Sequence, residues 1–155
     1  RMQGEKLAKE EGLEPLGQRS GGEINTIYKN TACHSVGYFM NRENADFKAM
    51  LKHQQAARIE QTNEIITLLS KKEGIHVTFD KIKNLVAEGG SIGRPHIAKA
   101  ITMAGGTSSV MEAYNKYIND DSNVYVQRKT VTPHDAIEII YDAGGIPVFA
   151  HPLDV

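Results

Sequence analysis

The chain has 155 residues, of which 40% are hydrophobic and 24% are charged, and its net charge is −1 at pH 7. This length suits one hydrophobic core, or one core with a small subdomain. The small net charge excludes an extended nucleic-acid-binding face, so any nucleotide contact must come from a few placed cations. No window of ~18 apolar residues predicts a membrane span, and the single cysteine favours a cytoplasmic location. The oligomeric state is left open.

The first predicted β-strands are short and lie at about residues 22–28 and 32–39. A long helix is predicted from Asn44 to Lys72, because this stretch contains no Pro or Gly and has apolar residues at helical spacing. The polar centre of this helix indicates an exposed, bridging middle. Gly74 is predicted to end it as the C-terminal cap.

Four shorter helices and a strand follow, each helix marked by a capping residue or by Pro at its first position. The helices are predicted at Thr78–Ala87, from Pro95 to about Met103, at Ser109–Ile118 and at Thr132–Ala143, and the strand at Ile146–Ala150. A helix followed at once by an apolar strand is typical of a parallel sheet or barrel. We therefore predict an α/β fold with an inserted, mostly helical subdomain, divided as 1–43, 44–122 and 123–155.

Three residues are candidates for metal ligands. Glu23 begins one predicted strand, His34 lies in the next, and His151 follows the last. Because the carboxyl ends of parallel strands meet at one edge, these side chains are expected to converge. Two imidazoles and a carboxylate suit Zn, Mn or Fe. The alternative is that each is an ordinary surface or core residue.

Arg94 and His96 flank Pro95 at a predicted helix start, where free backbone N–H groups favour an anion. Arg offers two parallel hydrogen bonds to a phosphate, and His adds another donor. The alternative is a helix cap whose Arg pairs with a nearby carboxylate. His53, His76 and His134 fit no ligand motif and are predicted to lie on the surface.

Five segments, in this order, resemble motifs of the PHP (polymerase and histidinol phosphatase) family: GEI at 22–24, CHSVGY at 33–38, SIGRPHIA at 91–98, YVQR at 125–128 and AHP at 150–152. The branch most similar to the chain has a helical insertion and acts on nucleoside 3′,5′-bisphosphates and the 5′ ends of short RNA. The resemblance implies part of a (β/α)7 TIM-like barrel, with up to three divalent ions (Mn, Zn, Fe or Mg) in an intact domain. It implies metal ligation by Glu23, His34 and His151. Phosphate contacts are implied for Arg94, His96 and Arg128.

The function implied is hydrolysis of phosphate esters of nucleotides, or of short RNA or DNA ends, by metal-activated water. The H-x-H, D-H and D-x-H motifs that supply the family's other ligands do not occur in this sequence. We therefore interpret the chain as an internal fragment and expect it to be inactive by itself. The alternative function is a non-catalytic helical binding module, or a degenerate PHP domain.

Overall fold

The computed structural model describes residues 19–29 and 31–150. Within these ranges the chain forms two compact units. The strand unit contains residues 19–52 and 130–150, and the helical unit is His53–Lys129. In the described part of the chain, no helix combines the length and the apolar character that a bilayer crossing requires.

The strand unit contains a three-stranded sheet in the order β1-β2-β3, with β1 at Arg19–Tyr28, β2 at Thr31–Asn41 and β3 at Ile146–Ala150. β2 pairs antiparallel with both neighbours. The expectation of parallel neighbours is therefore wrong for these strands. β1 and β2 are joined by a short turn, which permits only antiparallel pairing. The α/β class is confirmed, while the partial barrel stays a prediction.

One face of this sheet is covered by helices. Ile24 and Met40 lie on it, 2% and 1% exposed, and they pack against Ile140 of a helix at Pro133–Asp142. The first turns of the long helix α1, Ala45–Leu68, add Phe47 and Met50 to the same core. Burial of these apolar side chains fixes which face of each strand turns inward. The alternate residues of β1 and β2 are left on the open face.

The helical unit packs four helices around a core of aliphatic side chains. α1 continues into a π-helical turn at Leu69–Glu73, followed by α2 at Phe79–Lys83, α3 at Arg94–Met103, α4 at Val110–Ala113 and a second π-helical turn at Tyr114–Ile118. The helix of the strand unit at Pro133–Asp142 is α5. The large fully buried side chains of the helical core are Ile65, Leu69, Ile82, Ile101, Ile118 and Val124.

The capping residues expected from the sequence are present. Gly74 ends the long helix in the left-handed conformation (φ 67°), and its N–H donates to the Leu69 carbonyl. The hydroxyls of Thr78, Ser109 and Thr132 each accept a backbone N–H of the following helix. The helix predicted at Thr78–Ala87 is shorter than expected, since its regular part ends at Lys83.

Two other expectations differ from the structure. The helical unit, His53–Lys129, begins and ends later than the predicted insertion of 44–122. Phe47, inside the predicted insertion, packs in the core of the strand unit, and Val124, beyond it, packs in the helical core. The middle of α1 is not wholly exposed, since Gln54 and Gln61 are 8% and 7% exposed. Polar residues there serve packing and hydrogen bonding inside the helical unit.

Candidate metal and phosphate sites

Glu23 and His34 meet on the open face of the sheet. Glu23 of β1 is opposite Val36 of β2, so His34, two residues before Val36, projects from the same face. The Nδ1 atom of His34 lies 3.1 Å from Oε1 of Glu23, and the two side chains are 36% and 47% exposed. Strand register thus brings an imidazole and a carboxylate together where solvent reaches both.

The residue beside His34 points the other way. Cys33 is 4% exposed on the covered face, where the hydroxyl of Thr26 donates to the Cys33 carbonyl at 2.8 Å and lies 3.3 Å from its Sγ. Strand alternation therefore places Cys33 and His34 on opposite faces of the sheet. Because the thiol is on the opposite face, it takes no part in the Glu23–His34 pair.

The third predicted ligand, His151, lies outside the described residues. The preceding residue, Ala150, is the register partner of His34 across the β2–β3 ladder. The described strands therefore place Glu23 and His34 together, and the assignment of all three residues to one metal stays a prediction.

In the helical unit, α3 begins at Arg94 with Gly93 as its N-cap and Pro95 in the first turn. The Nδ1 atom of half-buried His96 accepts the Gly93 N–H at 3.0 Å. An imidazole that accepts at Nδ1 is neutral and carries its hydrogen on Nε2. His96 therefore has a single ring donor, Nε2–H, to offer a ligand in this arrangement.

Arg94 is held by three side chains of the helical unit. Its guanidinium donates to both carboxylate oxygens of Asp120, at 2.6 and 3.3 Å, and lies 4.4 Å from the ring centroid of Tyr125. Burial lowers the pKa of Arg94. Hydrogen bonds to Asp120 and Tyr114, and electrostatic attraction to Tyr125 and Asp120, outweigh burial and raise this pKa overall. The contact with Asp120 matches the alternative prediction, in which Arg94 at the helix start pairs with a nearby carboxylate. Phosphate binding by Arg94 stays a prediction.

Arg128 is half-buried against the middle of α1. Its Nε donates to Oε1 of Gln61 at 3.2 Å, and the Gln61 amide donates to the Val126 carbonyl at 2.6 Å and to the Tyr125 hydroxyl at 3.2 Å. Burial lowers the pKa of Arg128, and the positive charge of Arg58 lowers it further. Arg128 thus lies inside a polar network rather than on open surface.

Arg58 is the residue of this region that sequence reasoning missed. It lies one turn before Gln61 on α1, and its Nε is buried without a hydrogen-bond partner in the described part of the chain. The only signal for it is the polar centre of the helix, which gives no indication of the distant residues that approach it.

The remaining histidines are exposed, as expected for His53, His76 and His134. His134 has ligand atoms within 4.8 Å of those of Asp135 and Glu138, and all three residues are exposed. The Asp135 carboxylate already accepts hydrogen bonds from the backbone N–H and the hydroxyl of Thr132, the N-cap residue of α5. These contacts account for the cluster as part of the α5 N-terminus.

No protein-family model matches the chain. Among curated proteins, it is 32% identical over 146 residues to a 5′-3′ exoribonuclease of Haemophilus influenzae, covering 94% of the chain and 51% of that protein. It is 30% identical over 132 residues to the 5′-3′ exoribonuclease Rnm of Escherichia coli, covering 85% and 44%. A 3′,5′-nucleoside bisphosphate phosphatase of Chromobacterium violaceum is 26% identical over 133 residues, covering 86% and 46%. The chain spans about half the length of these relatives.

Two solved structures are similar to the chain. A protein described as a metal-dependent phosphoesterase, from Bifidobacterium adolescentis, superposes with a TM-score of 0.74 at 28% identity, covering 94% of the chain and 50% of that protein. An amidohydrolase from Chromobacterium violaceum superposes with a TM-score of 0.72 at 24% identity, covering 97% and 52%, and shows the fold alone. In both cases the chain corresponds to about half of the solved protein.

Proposed function

We propose that the whole protein is a metal-dependent phosphoesterase. The chain is homologous to about half of each relative, and this homology confirms the resemblance of its motifs to the PHP family. Its proposed substrates are phosphate esters of nucleotides or of short RNA ends. The relatives are named a 5′-3′ exoribonuclease and a 3′,5′-nucleoside bisphosphate phosphatase. The proposal covers the activity of the whole protein, because the chain corresponds to about half of each relative.

The contact between Glu23 and His34 is the observation that carries this proposal. Their facing atoms are 3.1 Å apart. Two ligand atoms at ~2.1 Å from one ion, at roughly tetrahedral to octahedral angles, are themselves about 3.0–3.4 Å apart. A carboxylate oxygen and an imidazole nitrogen are also donors that Zn, Mn and Fe accept. The same spacing allows a direct hydrogen bond between the two side chains without metal, and the pair fits one divalent ion in both chemistry and spacing.

Each protein group has a definite role in this scheme. A divalent ion, when bound, lowers the pKa of a coordinated water and supplies hydroxide near neutral pH. Glu23 contributes negative charge and His34 a neutral nitrogen, and we assign His151 as the third ligand of this ion. Up to three ions, of Mn, Zn, Fe or Mg, are proposed for the intact domain.

The substrate phosphate is assigned to the helical unit. Arg94 and Arg128 carry guanidinium groups that match phosphate oxygens, and His96 offers its Nε2–H. These residues touch the substrate in the proposal and leave metal binding to the strand unit. The motifs for the other ions' ligands do not occur in this sequence, so the chain alone is expected to be inactive.

Metal binding by the chain tests the first part of the proposal. Titration with Mn²⁺, followed by electron paramagnetic resonance, should show one binding site. Its Mn²⁺ affinity should fall at least ~10- to 100-fold in His34→Ala and in Glu23→Gln, since loss of groups that merely support metal ligands already costs this much. His53→Ala removes an exposed histidine of the helical unit and should bind as wild type does. Equal Mn²⁺ affinity in wild type, His34→Ala and Glu23→Gln would show that the pair holds no metal.

Activity of the full-length protein tests the second part. With Mn²⁺ present it should release phosphate from a nucleoside 3′,5′-bisphosphate or nucleotides from a short 5′-phosphorylated RNA, and a chelator should abolish the reaction. Full-length protein that binds Mn²⁺ through Glu23 and His34 but hydrolyses neither substrate would favour a binding role over catalysis.

A further inference from the structure

Arg94 and Arg128 of the helical unit are linked through Tyr125 and Gln61, and Arg58 lies near Arg128. The Arg94 guanidinium stacks 4.4 Å from the Tyr125 ring. Arg128 is close enough to both Arg58 and Arg94 for their charges to act on it. Asp120 is the carboxylate that neutralises part of this charge, through Arg94, and its side chain is 74% exposed. Among the described contacts, three positive charges are therefore offset by one solvent-exposed carboxylate, which pairs with Arg94.

Arg58 adds an unmet hydrogen-bonding need to this excess charge. Its Nε has less than 1 Å² of exposed surface and no hydrogen-bond partner in the part of the chain that the structure describes. A buried donor without a partner is destabilising, and more so when it belongs to a charged group. Folding alone gives no reason to hold this group here.

Gln61 fixes the spacing of the group. It accepts a hydrogen bond from Arg128 and donates to the Tyr125 hydroxyl and the Val126 carbonyl. Because Gln61 follows Arg58 by three residues on α1, both side chains rise from the same side of the helix. The network therefore sets Arg128 beside Arg58 although 70 residues of sequence separate them.

We propose that Arg58, Arg94 and Arg128 form one anion-binding site that takes a phosphate group, and that Asp120 occupies Arg94 until the phosphate arrives. A tetrahedral phosphate has enough acceptor oxygens for several guanidinium donors at once. The phosphate offsets the repulsion among the three cations and offers acceptor oxygens to the Arg58 guanidinium. This inference rests on the proposed phosphoesterase function and adds Arg58 and Asp120 to its substrate-binding residues.

The test uses the whole 155-residue chain, freed of metal with a chelator, and inorganic phosphate as the probe. In ¹H–¹⁵N spectra of the arginine Nε–Hε groups, phosphate should shift the signals of Arg58, Arg94 and Arg128. Arg58→Met keeps much of the aliphatic stem and removes the charge, and it should weaken phosphate binding roughly tenfold or more, as loss of a hydrogen bond to a charged group does. Arg42→Met, an equal charge change in the strand unit, should bind phosphate as wild type does.

Stability separates a binding role from a structural one. Without phosphate, Arg58→Met should melt at the wild-type temperature or above it, because it removes a repelled and unsatisfied cation. Wild type should gain thermal stability from phosphate by mass action, and Arg58→Met should lose most of that gain. Arg58→Lys, which keeps the charge, should retain part of it and serves as the readout if Arg58→Met does not fold.

Either of two results overturns the inference. One is wild-type arginine signals that phosphate leaves unshifted, and the other is phosphate affinity in Arg58→Met and Arg58→Lys equal to that of wild type. Both are measured without metal, so they leave the metal-binding test of Glu23 and His34 untouched. A failure here with intact Mn²⁺ binding would reject the anion site and retain the proposed metal centre.

Discussion

Asp120→Asn should tighten phosphate binding while slightly weakening the fold. In the structure, the Asp120 carboxylate accepts two hydrogen bonds from Arg94, at 2.6 and 3.3 Å. If Asp120 competes with phosphate for this guanidinium, removing its charge frees the site. It also raises the net charge of the cluster by one unit.

The magnitude follows from the exposure of the pair. Asp120 is 74% and Arg94 32% exposed, so solvent screens their attraction. Exposed pairs of this kind contribute about 0–1 kcal/mol, and the upper value corresponds to roughly a fivefold change in an equilibrium constant. We therefore expect phosphate affinity to rise by up to about fivefold and the free energy of unfolding to fall by at most ~1 kcal/mol.

The assay is a phosphate titration of the metal-free chain, followed by calorimetry or by the arginine Nε–Hε signals, with urea unfolding alongside. Asp121→Asn is the matched control, since it removes the neighbouring exposed carboxylate, which makes no described ion pair with Arg94. Asp121→Asn should leave phosphate affinity within about twofold of wild type, the small change expected of a screened surface charge. Unchanged or weaker phosphate binding in Asp120→Asn would refute the exchange between carboxylate and phosphate.

Two further predictions concern the strand unit. Gly145→Ala should destabilise it by about 1–3 kcal/mol in urea unfolding, because a Cβ there would lie 2.6 Å from Met40 Cγ. Gly22→Ala, whose Cβ would lie 3.7 Å from the Met40 side chain, is the control and should be nearly neutral. Equal losses of stability in the two variants would contradict the packing argument. Thr132→Ala should cost about 1 kcal/mol as a lost N-cap. The Thr132 hydrogen bonds lower the pKa of Asp135, so the stability they provide is present above the unfolded carboxyl pKa and lost as pH falls through the lower folded value. Acid unfolding curves should therefore be shallower below about pH 4 in Thr132→Ala, and an unaltered pH dependence would count against this role.

Local features of the fold could be predicted from the sequence because their causes are local. Gly74, Ser109 and Thr132 act on backbone groups within a few residues, and each is found at its expected cap. The direction of strand pairing could not be predicted in this way. β2 and β3 are separated by more than 100 residues, and an apolar strand after a helix has the same composition whether its neighbour is parallel or antiparallel.

The candidate site residues also differ in whether their role depends on local or distant sequence. Glu23 and His34 are close in sequence, and the alternation of a hairpin brings them to one face. Arg58, by contrast, lies in a polar stretch of α1 whose sequence is typical of a solvent-facing helix. Only the tertiary structure shows that Arg128 approaches this stretch, through Gln61. Residues whose role depends on distant partners need the tertiary structure to be recognised.

Cys33 gives the sheet a built-in chemical reporter. It is the only cysteine of the chain, and its thiol lies beneath the open face that carries His34. A thiol reagent added to the folded protein can reach it only when the packing around this strand opens. The rate of Cys33 modification therefore measures how often the strand that holds His34 opens, without any label or substitution.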